Sequence, residues 1–177
     1  MATARYLVVG DGEEMVYHCR SRCVRQAYLC GHNYVTGKDF DHRKEWVRER
    51  LRFLVTVFGI EVLSYALMSN HLHVLVRTMP DATACWSAEE VAIRWLTLFP
   101  KRRQRNGAPS APNNQEIAGI TSSNERVSEL RARLCSVSWF MKELNEYIAR
   151  RANREDECTG AFWEGRFKCS RIEDEAG

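Results

Sequence analysis

No apolar run in this 177-residue chain approaches the length needed to cross a bilayer, so a membrane-spanning protein is not expected. The first ten residues carry no secretory pattern, because their apolar stretch is short and acids follow at once. Glycine-rich phosphate loops are missing too: Gly10-Asp11-Gly12 has neither the lysine nor the helix such a loop needs. A serine-hydrolase elbow is absent, and so is any internal repeat. The seven cysteines include no tight Cys-x-x-Cys pair. Cys19, Cys23, Cys30 and His32 are therefore spaced badly for structural zinc and read better as buried free thiols. An odd cysteine count without a leader predicts reduced thiols and a cytoplasmic location. A net charge of +3 does not by itself imply a nucleic-acid partner; where the charges sit matters more.

What is present fits one domain over residues 1–177, with 45% apolar residues, enough for a real core. Met15 to Cys23 reads as a strand whose alternation puts His18, Arg20 and Arg22 on one face and Tyr17, Cys19 and Ser21 on the other. Asp41 to Phe58 has Trp46, Val47, Leu51, Leu54 and Val55 at helical spacing, and Gly59 is a plausible stop. Residues 79–134 look like an insertion. Ser87-Ala-Glu-Glu90 is a capping-box signature for a helix to about Leu98, followed by the basic run Lys101 to Arg105 and a flexible loop through Asn114. Helices are expected over about Asn124 to Leu134 and Ser138 to Asn153, then a last strand from Gly160 to Ile172 with Gly165 at a bulge.

The most informative motif is His71-Leu72-His73, inside the run from Tyr65 to Arg77. Its flanks read as two strands of a hairpin turning near Met68-Ser69-Asn70. Residues two apart on a strand share a face, about 6.5–7 Å apart. His71 and His73 thus project together while Leu72, Val74 and Val76 turn to the core, and two parallel imidazoles can chelate one metal ion. Basic residues fall on the neighbouring elements: Arg20 and Arg22 on the first strand, Arg150 and Arg151 on the last helix, Arg166 and Lys168 on the last strand. Tyr17, Phe162, Trp163 and Phe167 are interleaved with them. Cations for phosphates beside rings that stack on bases are the pattern of single-stranded nucleic-acid binding; ordinary surface ion pairing competes as an explanation. Tyr147 sits at the edge of the stripe formed by Phe140, Met141, Leu144 and Ile148, a usual place for an amphipathic boundary residue.

Taken together, the His-hydrophobic-His strand (Tyr65 to Val76) and the segment Ser138 to Lys168, with its tyrosine helix and Trp-Glu-Gly-Arg-Phe-Lys, resemble the single-tyrosine HUH transposases, in particular the REP-associated tyrosine transposases. The likeness covers residues 15–77 and 138–172 and leaves out the insertion. It implies an α+β fold, a ferredoxin-like antiparallel sheet with helices packed on one face. It also implies an enzyme of DNA transposition, a metal-dependent nuclease and strand transferase for single-stranded or hairpin DNA. A divalent ion, Mg²⁺ or Mn²⁺, held by His71 and His73 would polarise a phosphate. Tyr147 would attack it, leaving a 5′-phosphotyrosine and a free 3′-hydroxyl.

The match has two departures. Tyr147 precedes Asn153 by six positions where relatives usually have five, a rotation of about 100° that turns it from the metal. Arg151 stands where an acid or amide is expected as third ligand, with Glu143, Glu146 and Asn153 as nearby alternatives. A catalytically inactive nucleic-acid-binding descendant is therefore the alternative, and a Cys/His metal module a third class. Relatives continue into a further helix, of which Glu173 to Gly177 would be the first turn, so a truncated copy is expected. Monomeric action and a homodimer that swaps the tyrosine helix both stay open.

Overall fold

The computed structural model describes residues 13–24 and 27–172; the Gly10–Gly12 stretch and the Glu173–Gly177 turn lie outside them. Four strands, β1 (Val16–Arg22), β2 (Ile60–Leu67), β3 (His71–Thr78) and β4 (Lys168–Ile172), form one antiparallel sheet in the order β2-β3-β1-β4. Six helices accompany it among the described residues: α1 (Arg43–Val57), α2 (Pro80–Ala84), α3 (Ala88–Leu98), α4 (Asn114–Thr121), α5 (Asn124–Leu134) and α6 (Val137–Glu155). The frame β1-α1-β2-β3-α6-β4 is α+β with ferredoxin-like strand order, and α2 to α5 are interposed between β3 and α6. No helix among the described residues is long and apolar enough to cross a membrane.

Alternation along the central strands sets the layers. Tyr17, Cys19 and Ser21 of β1, with Leu72, Val74 and Val76 of β3, are buried on one face. There they meet Val47, Leu51 and Leu54 of α1 and the Phe140, Met141, Leu144 and Ile148 stripe of α6 in one core. Burying each large apolar side chain stabilises the fold by roughly 1.5–3 kcal/mol. Asn145 of α6 fixes the docking by donating from Nδ2 to the Ser21 hydroxyl at 2.8 Å.

Arg43 ties the start of α1 to the end of α6. Its fully buried guanidinium donates to Glu155 at 2.7 Å, to Asp156 at 2.5 Å and to the Tyr28 carbonyl at 2.7 Å. Gly59 ends α1 where no side chain fits, since a Cβ there would stand 1.9 Å from Thr83 Cγ2. The insertion shares the core through Val91, Leu96, Ile120, Leu130 and Leu134.

Two sequence expectations need correction. The stretch from Lys101 to Asn114 is not a simple flexible loop: Gln104 N–H donates to the Ala108 carbonyl at 2.8 Å and Ser110 N–H to that of Arg102 at 3.0 Å, and α4 follows. Helix α4 opens on a capping box between Asn113 and Glu116, so its local signal was present but short. The last strand also begins later than Gly160. Residues 162–164 touch the end of β1 through Val24 N–H to Phe162 O, 3.0 Å, and Glu164 N–H to Arg22 O, 2.8 Å. The chain then leaves the ladder around Gly165 and pairs regularly only from Lys168.

Candidate nucleic-acid interface

The face of the sheet opposite the helices carries His18, Arg20 and Arg22 from β1 and His71 and His73 from β3. Turn residues 68–70 hold the histidines at the strand start: Met68 N–H donates to the His71 carbonyl at 2.9 Å. The loop before α1 buttresses that turn, since Leu29 N–H donates to the Ser69 carbonyl at 2.6 Å and Cys23 N–H to that of Asn70 at 2.9 Å.

Each histidine of the motif has one ring nitrogen engaged and one available. His71 Nδ1 lies 2.7 Å from the Asn70 side-chain oxygen, an acceptor, so Nδ1 carries the proton and Nε2 a lone pair. His73 Nδ1 lies 2.9 Å from His18 Nε2, with the two rings stacked 5.1 Å apart. If His73 donates in that bond, its Nε2 is free as well. His18 is the neighbour of His73 that the motif alone did not single out. Its signal was the shared face on β1, and a neighbour that orients a ligating histidine is a regular part of metal sites. Burial first, then the His18, His71 and Arg20 charges, pushes the His73 pKa below its ordinary value, which favours the neutral ring.

A ring bound through nitrogen places its centroid about 3.2 Å from the ion, so two rings on one ion stand at most about 6.4 Å apart. His71 and His73, at 6.2 Å, sit at the wide end of that range. At that separation a shared ion would sit almost between the rings, so holding it at the angle of a tetrahedral or octahedral site requires the rings to turn toward one another. Among the described residues no group of three or more His, Cys, Asp or Glu side chains could hold a metal. The sequence candidates for a third ligand are engaged elsewhere: Glu143 with Arg50 at 3.3 Å, Glu146 with Arg150 at 2.5 Å, and Asn153 with the Gly160 carbonyl at 2.8 Å. Glu164 is the carboxylate at the cleft, and it faces Arg22 at 3.7 Å.

Strand register brings the cations together. Arg20 lies directly opposite His73 on one side and Lys168 on the other, and Arg22 lies opposite His71. Arg166 completes a cleft of about 500 Å³ over this face. Four predicted DNA-binding residues (Arg20, Arg22, Arg166 and Lys168) thus converge on the two histidines. Arg150 and Arg151 do not. Arg151 donates to the Tyr147 hydroxyl at 2.8 Å and lies 4.4 Å from the Trp46 ring, at the α1–α6 seam.

Tyr147 belongs to that seam too, with the Arg50 guanidinium 4.9 Å from its ring. Asn145 points at the sheet through Ser21, and two further residues turn Tyr147 by about 200° to the far side of the helix. Helix α6 packs on the buried face, so the sheet stands between the Tyr147 hydroxyl and the histidines. Cys19, Cys23 and Cys30 are buried thiols that form no disulfide among the described residues. Burial pushes the Cys23 pKa up to about 12. No family model matches the chain, and no curated protein matches it at significant similarity.

Proposed function

We propose that the protein binds single-stranded DNA, with the phosphates of the strand lying over the open face of the sheet, and that it is a non-cleaving relative of the single-tyrosine HUH transposases. The observation that carries the reading is the row His73, Arg20, Lys168 across three neighbouring strands. Like charges directly opposite one another in a sheet destabilise it, and Arg20 and Lys168 have no acidic partner among the described residues. An anion laid along the row removes that cost, and a phosphodiester backbone supplies one charge per nucleotide. A divalent ion, Mg²⁺ or Mn²⁺, would be held by His71 and His73 and would screen and polarise the phosphate; with no carboxylate in the pair's own set, it binds best once the phosphate is present.

The catalytic reading, which the resemblance puts first, comes second here and is favoured by the Nε2 atoms of His71 and His73. In it a tyrosine oxygen forms the bond to phosphorus, the bond to the 3′-oxygen breaks, and that oxygen leaves as a hydroxyl while the 5′-phosphate remains on the protein. The position of Tyr147 behind the sheet counts against its doing this within one chain. A second copy presenting its tyrosine is what this reading needs, and the process served would be DNA transposition.

Fluorescence anisotropy with single- and double-stranded oligonucleotides tests the first reading. Arg20→Glu with Lys168→Glu is expected to weaken single-strand binding tenfold or more and to flatten its salt dependence by about 0.7 in slope for each phosphate no longer neutralised. Unchanged affinity would refute it. A denaturing gel with Mn²⁺ present tests the second: a covalent DNA adduct that disappears in Tyr147→Phe would replace the non-cleaving reading with the enzymatic one.

A further inference from the structure

A second depression adjoins the cationic cleft. It has a volume of about 450 Å³ and lies between the first half of α6 and residues 163–167. That size is within the roughly 300–1,000 Å³ of small-molecule sites. Its walls are aromatic, from Trp139, Trp163 and Phe167, and Lys142 and Arg166 stand at it. The indoles are held in place. Trp163 Nε1 donates to the Asn145 carbonyl at 2.8 Å, and Trp139 packs edge-on to Trp95 with ring centroids 5.6 Å apart. The depression and the cleft share Gly165 and Arg166, so one strand can occupy both.

The side chain that marks the depression as a binding site is Asn145, which lines it and is 9% exposed. Its Nδ2 donates to Ser21, but its Oδ1 is buried without a hydrogen-bond partner. Buried acceptors are nearly always satisfied, and one left open costs the fold. Asn145 shares the lining of the depression with the three rings, and through Gly165 and Arg166 the depression adjoins the cleft that holds Arg20 and Lys168.

We propose that this depression is a nucleobase subsite. It takes one base from the strand held on the sheet, stacks it against the indoles, and offers Asn145 Oδ1 to the exocyclic amino group of an adenine or cytosine. The proposal rests on the nucleic-acid reading above. Aromatic walls supply sequence-tolerant stacking. The carboxamide adds a preference for bases that present a donor there, because a base without one leaves the acceptor open. Gly165 is the saddle between phosphate cleft and base depression. A Cβ there meets no heavy atom within 4 Å, and its backbone is outside the left-handed region, so a side chain fits the fold yet stands in the strand's path.

The test varies the ligand first, so that the wild-type protein is used throughout. Three single strands of equal length are compared by anisotropy and by tryptophan quenching: oligo-deoxyadenylate, the same strand with purine (lacking only the amino group) for adenine, and an all-abasic strand that keeps only sugar and phosphate. The abasic strand is expected to bind roughly tenfold or more weakly and without quenching, and the purine strand roughly fivefold more weakly than adenine. Gly165→Val is expected to reduce the adenine strand's affinity to that of the abasic strand with an unchanged melting temperature. Equal binding of all three strands, still abolished by Arg20→Glu with Lys168→Glu, would overturn the base subsite while leaving the phosphate cleft standing. Failure of every strand to bind would overturn both.

Discussion

The two faces of the sheet are made by the same strands from alternate residues, and they have opposite chemistry. On β3, Leu72, Val74 and Val76 are fully buried, whereas His71, His73 and Leu75 between them are half-exposed. On β1, Tyr17 and Cys19 are buried, while His18, Arg20 and Arg22 face outward. The helical face satisfies its few charges internally, as Arg43 does with Glu155 and Asp156. On the open face cations are set opposite cations by the register. Folding is secured on one side; on the other, Arg22 faces Glu164 and Arg77 pairs with Glu61, while Arg20 and Lys168 stand opposite each other with no acidic partner among the described residues. That one uncompensated pair is what the proposed phosphate would neutralise.

Adjacent residues give the sharpest way to break this contrast. Leu72→Ala is expected to cost about 2–5 kcal/mol in urea unfolding, through reduced burial and a cavity, whereas His73→Ala costs about 1 kcal/mol or less. Equal costs would mean that both faces support the fold. Tyr147→Phe removes an acceptor from Arg151 on the helical side, so a loss of about 0.5–1 kcal/mol is expected with DNA affinity unchanged. A drop in affinity would move Tyr147 to the functional side.

Relieving the open face should show the opposite sign. Lys168→Gln is expected to raise stability by about 0.2–1 kcal/mol at low salt while weakening DNA binding, and the gain should vanish as salt screens the row. A stability loss at every salt concentration would contradict the uncompensated row. The smallest effect concerns pH. His73 has a depressed pKa in the folded chain, so between its ordinary value of 6.5 and the folded one the unfolded chain binds more protons. Its contribution to stability is full above 6.5 and is lost as pH falls through the folded pKa. An NMR titration of the ring should find its midpoint below 6.5, and a midpoint above that value would reverse the sign.

Much of this was legible along the chain, because alternation and helical spacing are local. Residues Met15 to Cys23 divided into the faces now observed, and the capping box at Ser87 and Glu90 opens α3 as its pattern implied. The spacing from Tyr147 to Asn153 pointed to a tyrosine turned away, and the helix holds it in the seam with α1. The start of the last strand was misplaced because the aromatic and basic alternation from Gly160 to Ile172 resembles a strand throughout, whether or not the ladder is continuous. Helix α4 was missed because eight residues with a central glycine carry little periodicity beyond their cap. The pairing of His18 with His73, 55 residues apart, had only the shared face on β1 to signal it, and nothing local showed that a bond from Asn145 to Ser21, 124 residues away, leaves the Asn145 amide oxygen open.

Sequence by itself determined which residues alternate, where α1, α3 and α6 run, and that His71 and His73 share a face, because each follows from the geometry of a single element. Only the tertiary structure decided that Arg20 lies between His73 and Lys168, that Tyr147 sits behind the sheet from them, and that the indoles of α6 and of the turn before β4 enclose Asn145. Register and helix docking set those relations, and both depend on how distant segments bury one shared core.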